Sequence, residues 1–314
     1  MDLFIGPFLA DSEPMISSAR PRPSGGLATA AGLAAMGCVG GGVGVSGLLG
    51  DAPLFTSQAL RYTCAAALLV AVARLLRRRL VCPRGLEWAW LAAVAATGLV
   101  LFNVALVRGS AHAAPAVLGV AVACVPIVLA VTGPIRAGRR PSPAVTAGAV
   151  VVTLGAMIVQ GGGRTDAAGL GWAAVVLACE VGFTLLAEPV LRRHGPWGVS
   201  VHSCWIAAVL LGALGLTTEG ASAVLTLRPV HLLAVGYLAV VLTALAFVLW
   251  YSAVVGLGSA RAGLFTGVAP VAAAGMGWLL GAPAPSGLMW AGIALVGAGL
   301  AVGLRARTPA PVPV

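Results

Sequence analysis

Glu180, Thr184 and Glu188 stand four residues apart, a spacing that puts all three on one face of a helix within an otherwise apolar stretch. Arg61, Asn103 and His202 interrupt three further apolar stretches. A charge in hydrocarbon costs at least about 2.5–3.5 kcal/mol on insertion scales, so a chain that keeps one there is expected to use it. Glu180, central in its stretch, is a carboxylate for a proton or an amine, since a carboxyl shielded from water suits proton exchange near neutral pH. Its structural alternative is an ion pair with Arg61. Glu188 has a simpler partner in Arg192, four residues on. Arg61 could clamp a carboxylate with its planar fork or serve folding. Asn103 offers hydrogen bonds to a bound molecule, or ties helices together. Tyr251 and its neighbour Trp250 line a passage or belong to an interfacial aromatic belt. His202 reads equally as interfacial or functional. His112, His194 and His231 fall in or beside loops and receive no role.

The elements that must hold these groups are ten apolar segments, near 28–50, 54–73, 87–107, 113–133, 143–160, 169–190, 198–217, 230–255, 261–281 and 286–304. A bilayer core needs about 20 apolar residues per helix. Of the 314 residues 60% are hydrophobic and 9% charged, where soluble domains carry about 25% charged, and mean hydropathy is +1.01. The class is an all-α polytopic membrane protein. The links between segments are too short to hold a soluble catalytic domain.

The net charge of +10 comes from arginine alone, for the chain has no lysine. With the N-terminus inside, 15 arginines fall in inner segments and Arg108, Arg164 and Arg228 in outer ones, with Arg61 within a span. This alternation is the positive-inside pattern with both termini cytoplasmic, in the plasma membrane. It excludes a nucleic-acid partner as the reason for the charge. Trp88, Trp90, Trp172, Trp197, Trp278 and Trp290 lie near span ends, as headgroup-level anchors do. The six cysteines form no CxxC and read as small packing residues, so neither a disulfide nor a metal site is expected. Residues 1–26 read as a disordered inner lead-in with Met15 as the native start, and 305–314 as an inner tail.

Between these ends the chain reads as a duplication, 27–162 and 163–304. Gly109-Ser110-Ala111-His112-Ala113 returns as Gly258-Ser259-Ala260-Arg261-Ala262, and Ala147-Gly148 with Gly155 returns as Ala291-Gly292 with Gly299, at offsets of 149 and 144 residues. Five spans per unit is an odd number, so the second unit must sit inverted relative to the first. Inverted repeats around a midplane site are a transporter plan. Gly40/Gly44, Gly263/Gly267, Gly277/Gly281 and Gly299/Gly303 are small-residue pairs suited to close helix packing.

Together these features resemble the drug/metabolite transporter superfamily, EamA type. The resemblance rests on the run Pro53 to Arg61, on Phe102-Asn103-Val104-Ala105-Leu106 leading to Ser110-Ala111, and on Pro126. In the second half it rests on Thr243 to Leu249, Trp250-Tyr251-Ser252-Ala253, Gly258 to Ala262, Pro270 and Gly277-Trp278-Leu279-Leu280-Gly281. The family's usual Trp-Gly in the first span is here the glycine-rich Gly37–Gly42. The resemblance implies ten helices in two inverted five-helix repeats, and a secondary transporter exporting small metabolites, amino acids or drug-like compounds without a cofactor. The candidate substrate- or proton-binding residues are then Glu180, Arg61, Asn103, Thr184 and Tyr251. No Walker-type phosphate loop occurs. Two rival readings stand beside it. One is a channel or a structural membrane subunit; a channel would need rings of like polar groups, which the scattered charges do not supply. Gly44-Val45-Ser46-Gly47 fits the GxSG of rhomboid-type intramembrane proteases, with His202 the available base for Ser46.

Overall fold

The computed structural model describes residues 24–306. Met15 and most of the lead-in and tail lie outside them; the first helix already begins at Gly25, inside the segment expected to be disordered. Ten helices among the described residues are long and apolar enough to cross a membrane. They are α1 (Gly25–Gly47), α2 (Leu54–Leu75), α3 (Glu87–Ser110), α4 (Pro115–Arg136), α5 (Pro143–Gln160), α6 (Ala167–Leu185), α7 (Glu188–Thr218), α8 (Pro229–Leu257), α9 (Ser259–Leu279) and α10 (Gly287–Arg305). No strand occurs among the described residues. Helices are the expected solution, because hydrocarbon leaves backbone groups no partner outside their own segment.

Local chemistry sets where helices begin and end. Proline sits in the first turn of α4, α5, α7 and α8, where its missing N–H is no loss. Ser24 and Asp166 accept from the first-turn amides of Leu27 and Gly169, as N-caps do. The polar stripe expected from Glu180 to Glu188 is broken: α6 stops at Leu185 and Glu188 opens α7. Pro189 is the cause, since it has no N–H to give the Leu185 carbonyl and its ring would crowd it. A second break follows at Gly195, whose φ of 66° is left-handed, before Pro196. The spanning part of α7 therefore starts only after this break. Helices α3 and α8 each contain a π-helical segment, Ala95–Leu101 and Leu238–Leu245.

The helix ends gather on two faces. One carries the Leu48–Pro53 turn and the links before α4, α6, α8 and α10, and holds few arginines. Across the bundle lies the face rich in arginine, with the link 76–86 and the start of α7. Close packing relies on small residues, as expected where the solvent gives no hydrophobic drive. Helices α5 and α10 run antiparallel in backbone contact: a Cβ on Gly155 would lie 2.6 Å from the Gly292 carbonyl oxygen, and one on Gly299 2.7 Å from that of Gly148. Of the expected glycine pairs, Gly263/Gly267 and Gly299/Gly303 pack with both members, whereas Gly44 faces open space and Gly281 ends α9 with φ 96°.

Candidate functional site

Helix α2 presents Ser57, Gln58, Arg61 and Tyr62 on one buried face. Arg61 is 6% exposed. Its Nε donates to Thr243 Oγ1 at 2.8 Å and its Nη1 to Gln58 Oε1 at 3.1 Å. The guanidinium lies 5.1 Å from the Tyr62 ring centroid. Thr243 belongs to the π-helical segment of α8, a geometry that recurs at functional sites. Arg61 thus ties α2 to α8, and the second nitrogen of its fork, Nη2, has no partner among the described residues. That nitrogen is not sealed off, since the buried unpartnered side-chain atoms are only Thr153 Oγ1 and His194 Nδ1 among the described residues.

These groups border a cavity of about 410 Å³. Glu180, Asn103, Arg61 and Gln58 provide its polar patches, and Phe102, Phe183, Phe247 and Trp250 its aromatic walls. Asn103 donates to Tyr62 Oη at 3.0 Å and to the Leu99 carbonyl at 2.6 Å, so its own carbonyl oxygen remains available. The Glu180 carboxyl has neither an ion-pair nor a hydrogen-bond partner among the described residues. The pairing of Glu180 with Arg61 weighed from the sequence is absent, because Arg61 is turned to Thr243 and Gln58. Glu188 and Arg192, four residues apart in α7, form no ion pair either.

Two of the five candidates lie behind the wall. Thr184 is 1% exposed and accepts from Trp250 Nε1 at 3.2 Å. Tyr251 is fully buried and donates to the Phe183 carbonyl at 3.2 Å. They hold Trp250 and Phe183, which do face the cavity. Gln58, Tyr62, Thr243 and Trp250 were missed or undervalued. The available signal was Ser57 and Gln58, four and three residues before Arg61, one polar face on an apolar helix.

The cavity extends from mid-helix to the arginine-poor face, where Ser46, Leu49, Gly50, Ala52 and Leu54 form its rim. No residue from the arginine-rich helix ends borders it. At the rim, Asp51 pairs with Arg228 and meets His231 Nε2 at 3.1 Å. Desolvation works against charge on Asp51, but the His231 hydrogen bond and the Arg228 guanidinium outweigh it and hold the carboxyl below its ordinary value. Glu219, at the end of α7, accepts from the amides of Phe55 and Thr56, both at 2.8 Å, and so caps α2. Ser46 Oγ donates to the Gly42 carbonyl at 3.0 Å. His202 lies near the arginine-rich face, its Nε2 donating to the Val81 carbonyl at 2.9 Å and its Nδ1 accepting from Trp205 Nε1 at 3.1 Å. Ser46 and His202 are therefore not brought together.

Ten apolar helices enclosing a one-sided, largely apolar cavity with polar patches define a multi-pass membrane protein. Residues 167–304 match the model of the EamA-like transporter family, a family of the drug/metabolite transporter superfamily. The matched segment covers the second of the two units expected from the duplication. A solved crystal structure superposes with a TM-score of 0.72 at 22% sequence identity, covering 88% of this chain and 96% of the other. At that identity the likeness speaks for the fold alone. No curated protein sequence matches the chain.

Proposed function

We propose that the chain is a secondary transporter that carries a small organic molecule across the plasma membrane by alternating access, with Glu180 exchanging protons. The observation that carries this reading is the one-sided cavity, in which an anchored Arg61 and an unpartnered Glu180 share one chamber. A volume of about 410 Å³ is in the range of small-molecule sites. Arg61 then offers its free Nη2 to an acceptor on the substrate, Asn103 its carbonyl oxygen to a donor, and the aromatic wall takes the apolar part. Thr184 and Tyr251 act as positioning residues, through Trp250 and Phe183.

Two inverted units, 27–162 and 163–304, supply the alternation in this reading. Supporting it, Gly148 meets Gly299 while Gly155 meets Gly292, the reciprocal contact expected when a pair of equivalent helices crosses a two-fold axis. The π-helical segments of α3 and α8 also recur at an offset of 143 residues. Arginine-rich segments on the inner side put both termini in the cytoplasm. Export is the direction suggested by the family likeness.

The test has two stages. Medium from overexpressing and deletion strains is compared, and a compound that changes reciprocally is taken as the cargo. Counterflow of that compound in proteoliposomes is then measured for wild type and Glu180→Gln. Stimulated exchange by wild type and its loss in a variant of unchanged unfolding temperature are expected. Unimpaired proton-coupled transport by Glu180→Gln would remove Glu180 from the mechanism.

A further inference from the structure

The link between α2 and α3 carries Arg77, Arg78, Arg79 and Arg84, with Arg74 in the last turn of α2, and no acidic residue lies between 74 and 86. All five arginines are exposed. None of their guanidinium groups has an ion-pair or hydrogen-bond partner among the described residues; the nearest acid, Glu87, is taken by Arg193, by His194 Nε2 at 3.2 Å and by the Arg84 amide at 2.8 Å.

Helix α2 ends in a Schellman turn. The Arg77 amide donates to the Arg74 carbonyl at 3.0 Å, and the Arg78 amide to that of Ala73 at 2.7 Å. This turn requires a left-handed residue, and the position is usually glycine. Helices α4 and α9 end in the same hydrogen-bond pattern with Gly138 at φ 67° and Gly281 at φ 96°. Helix α2 has Arg77 there at φ 51°, the one non-glycine residue with positive φ among those described. A side chain in this conformation is strained. A topology signal does not explain the choice, since arginine on either side would supply the same charge without strain. The far end of the link is fixed as well: His202 holds the Val81 carbonyl at 2.9 Å and Arg193 that of Cys82 at 3.4 Å. The guanidinium cluster is thus presented from an anchored loop, beside the half-exposed Trp88 at the mouth of α3.

We propose that Arg77, with Arg74, Arg78, Arg79 and Arg84, forms a docking surface for the phosphates of anionic phospholipids in the leaflet at the arginine-rich face. Guanidinium groups match phosphate oxygens in geometry as well as charge, and a cluster of four to eight basic residues directly beside a membrane helix is the pattern that recruits such lipids. The surface is separate from the cavity and does not depend on what the cavity carries.

The test uses the purified full-length protein in mixed phosphatidylcholine–phosphatidylglycerol micelles, with retained lipid counted by native mass spectrometry. Wild type is expected to retain phosphatidylglycerol over phosphatidylcholine several-fold, with the preference falling as ionic strength rises. Arg77→Gly should lower it about fivefold, and the triple change of Arg77, Arg78 and Arg79 to Gln should abolish it. In phosphatidylcholine alone, Arg77→Gly should unfold no earlier than wild type, because glycine relieves the turn. Equal retention of the two lipids by wild type, or full preference in Arg77→Gly, would overturn the proposal. So would displacement of phosphatidylglycerol by inorganic phosphate, which would mark a site for free anions instead.

Discussion

Arg61 and Thr243 form the polar link between α2 and α8, and a double-mutant cycle measures it directly. Arg61→Met removes the charge and keeps a side chain of similar length; Thr243→Val removes the acceptor and keeps the shape. The 2.8 Å bond from Arg61 Nε to Thr243 Oγ1 is charge-assisted, and such bonds contribute about 1.5–3 kcal/mol. The second bond, to Gln58 at 3.1 Å, survives Thr243→Val, so the cycle isolates one contact. A coupling energy of about 1.5–3 kcal/mol is therefore expected from reversible unfolding in mixed micelles. Arg61→Met alone should cost less than its two bonds suggest, because removing a charge from a membrane segment returns about 2.5–3.5 kcal/mol. A coupling below about 0.5 kcal/mol, the level at which independent sites add, would refute the view that Arg61 is anchored on α8. The cavity floor would then need another tie.

Other outcomes follow from the packing and from the arginine-poor face. Gly155→Leu puts a Cβ 2.6 Å from the Gly292 carbonyl oxygen, an overpacking with little room to relax. It should cost about 1–3 kcal/mol or more, visible as a lower melting temperature, whereas Gly44→Leu, facing open space, should leave it unchanged. Asp166 is held below its ordinary value first by the Gly169 amide and then by His112. Its stabilising contribution is thus present above the ordinary carboxylate range and is lost as pH falls through the lowered folded value. Melting temperatures from neutral to acid pH should show a shallower acid decline for Asp166→Asn than for wild type.

Much of the fold was legible because hydrocarbon imposes a simple rule on sequence: about 20 apolar residues, then a break. All ten spans appear close to their expected places. The boundary that differs, at Leu185, lies four residues before Pro189, which ends the helix inside the expected 169–190 run. The glycines that suggest a repeat also mark a helix contact, since Gly148, Gly155, Gly292 and Gly299 must remain small for two backbones to touch. The candidate site was legible only in part. Arg61, Asn103 and Glu180 stood out because polarity in an apolar run is conspicuous. Which of them would pair was not visible, because the partner of Arg61 is Thr243, 182 residues away, and a lone threonine in a membrane helix attracts no notice. Thr184 and Tyr251 matched the pattern but turned inward, since a helix register alone does not tell a chamber wall from the layer behind it.

The cavity ends at a floor lined by Met36, Tyr62 and Trp250, behind which Tyr251 is fully buried with its hydroxyl donating to the Phe183 carbonyl. A cup closed at the bottom gives water no continuous file from one compartment to the other. Protons travel along such files, so the shut floor preserves the electrical insulation of the bilayer while the cup stands open. The aromatic seal is in this sense a dielectric part of the membrane, and thinning it should appear first as a leak of current rather than as a change in cargo.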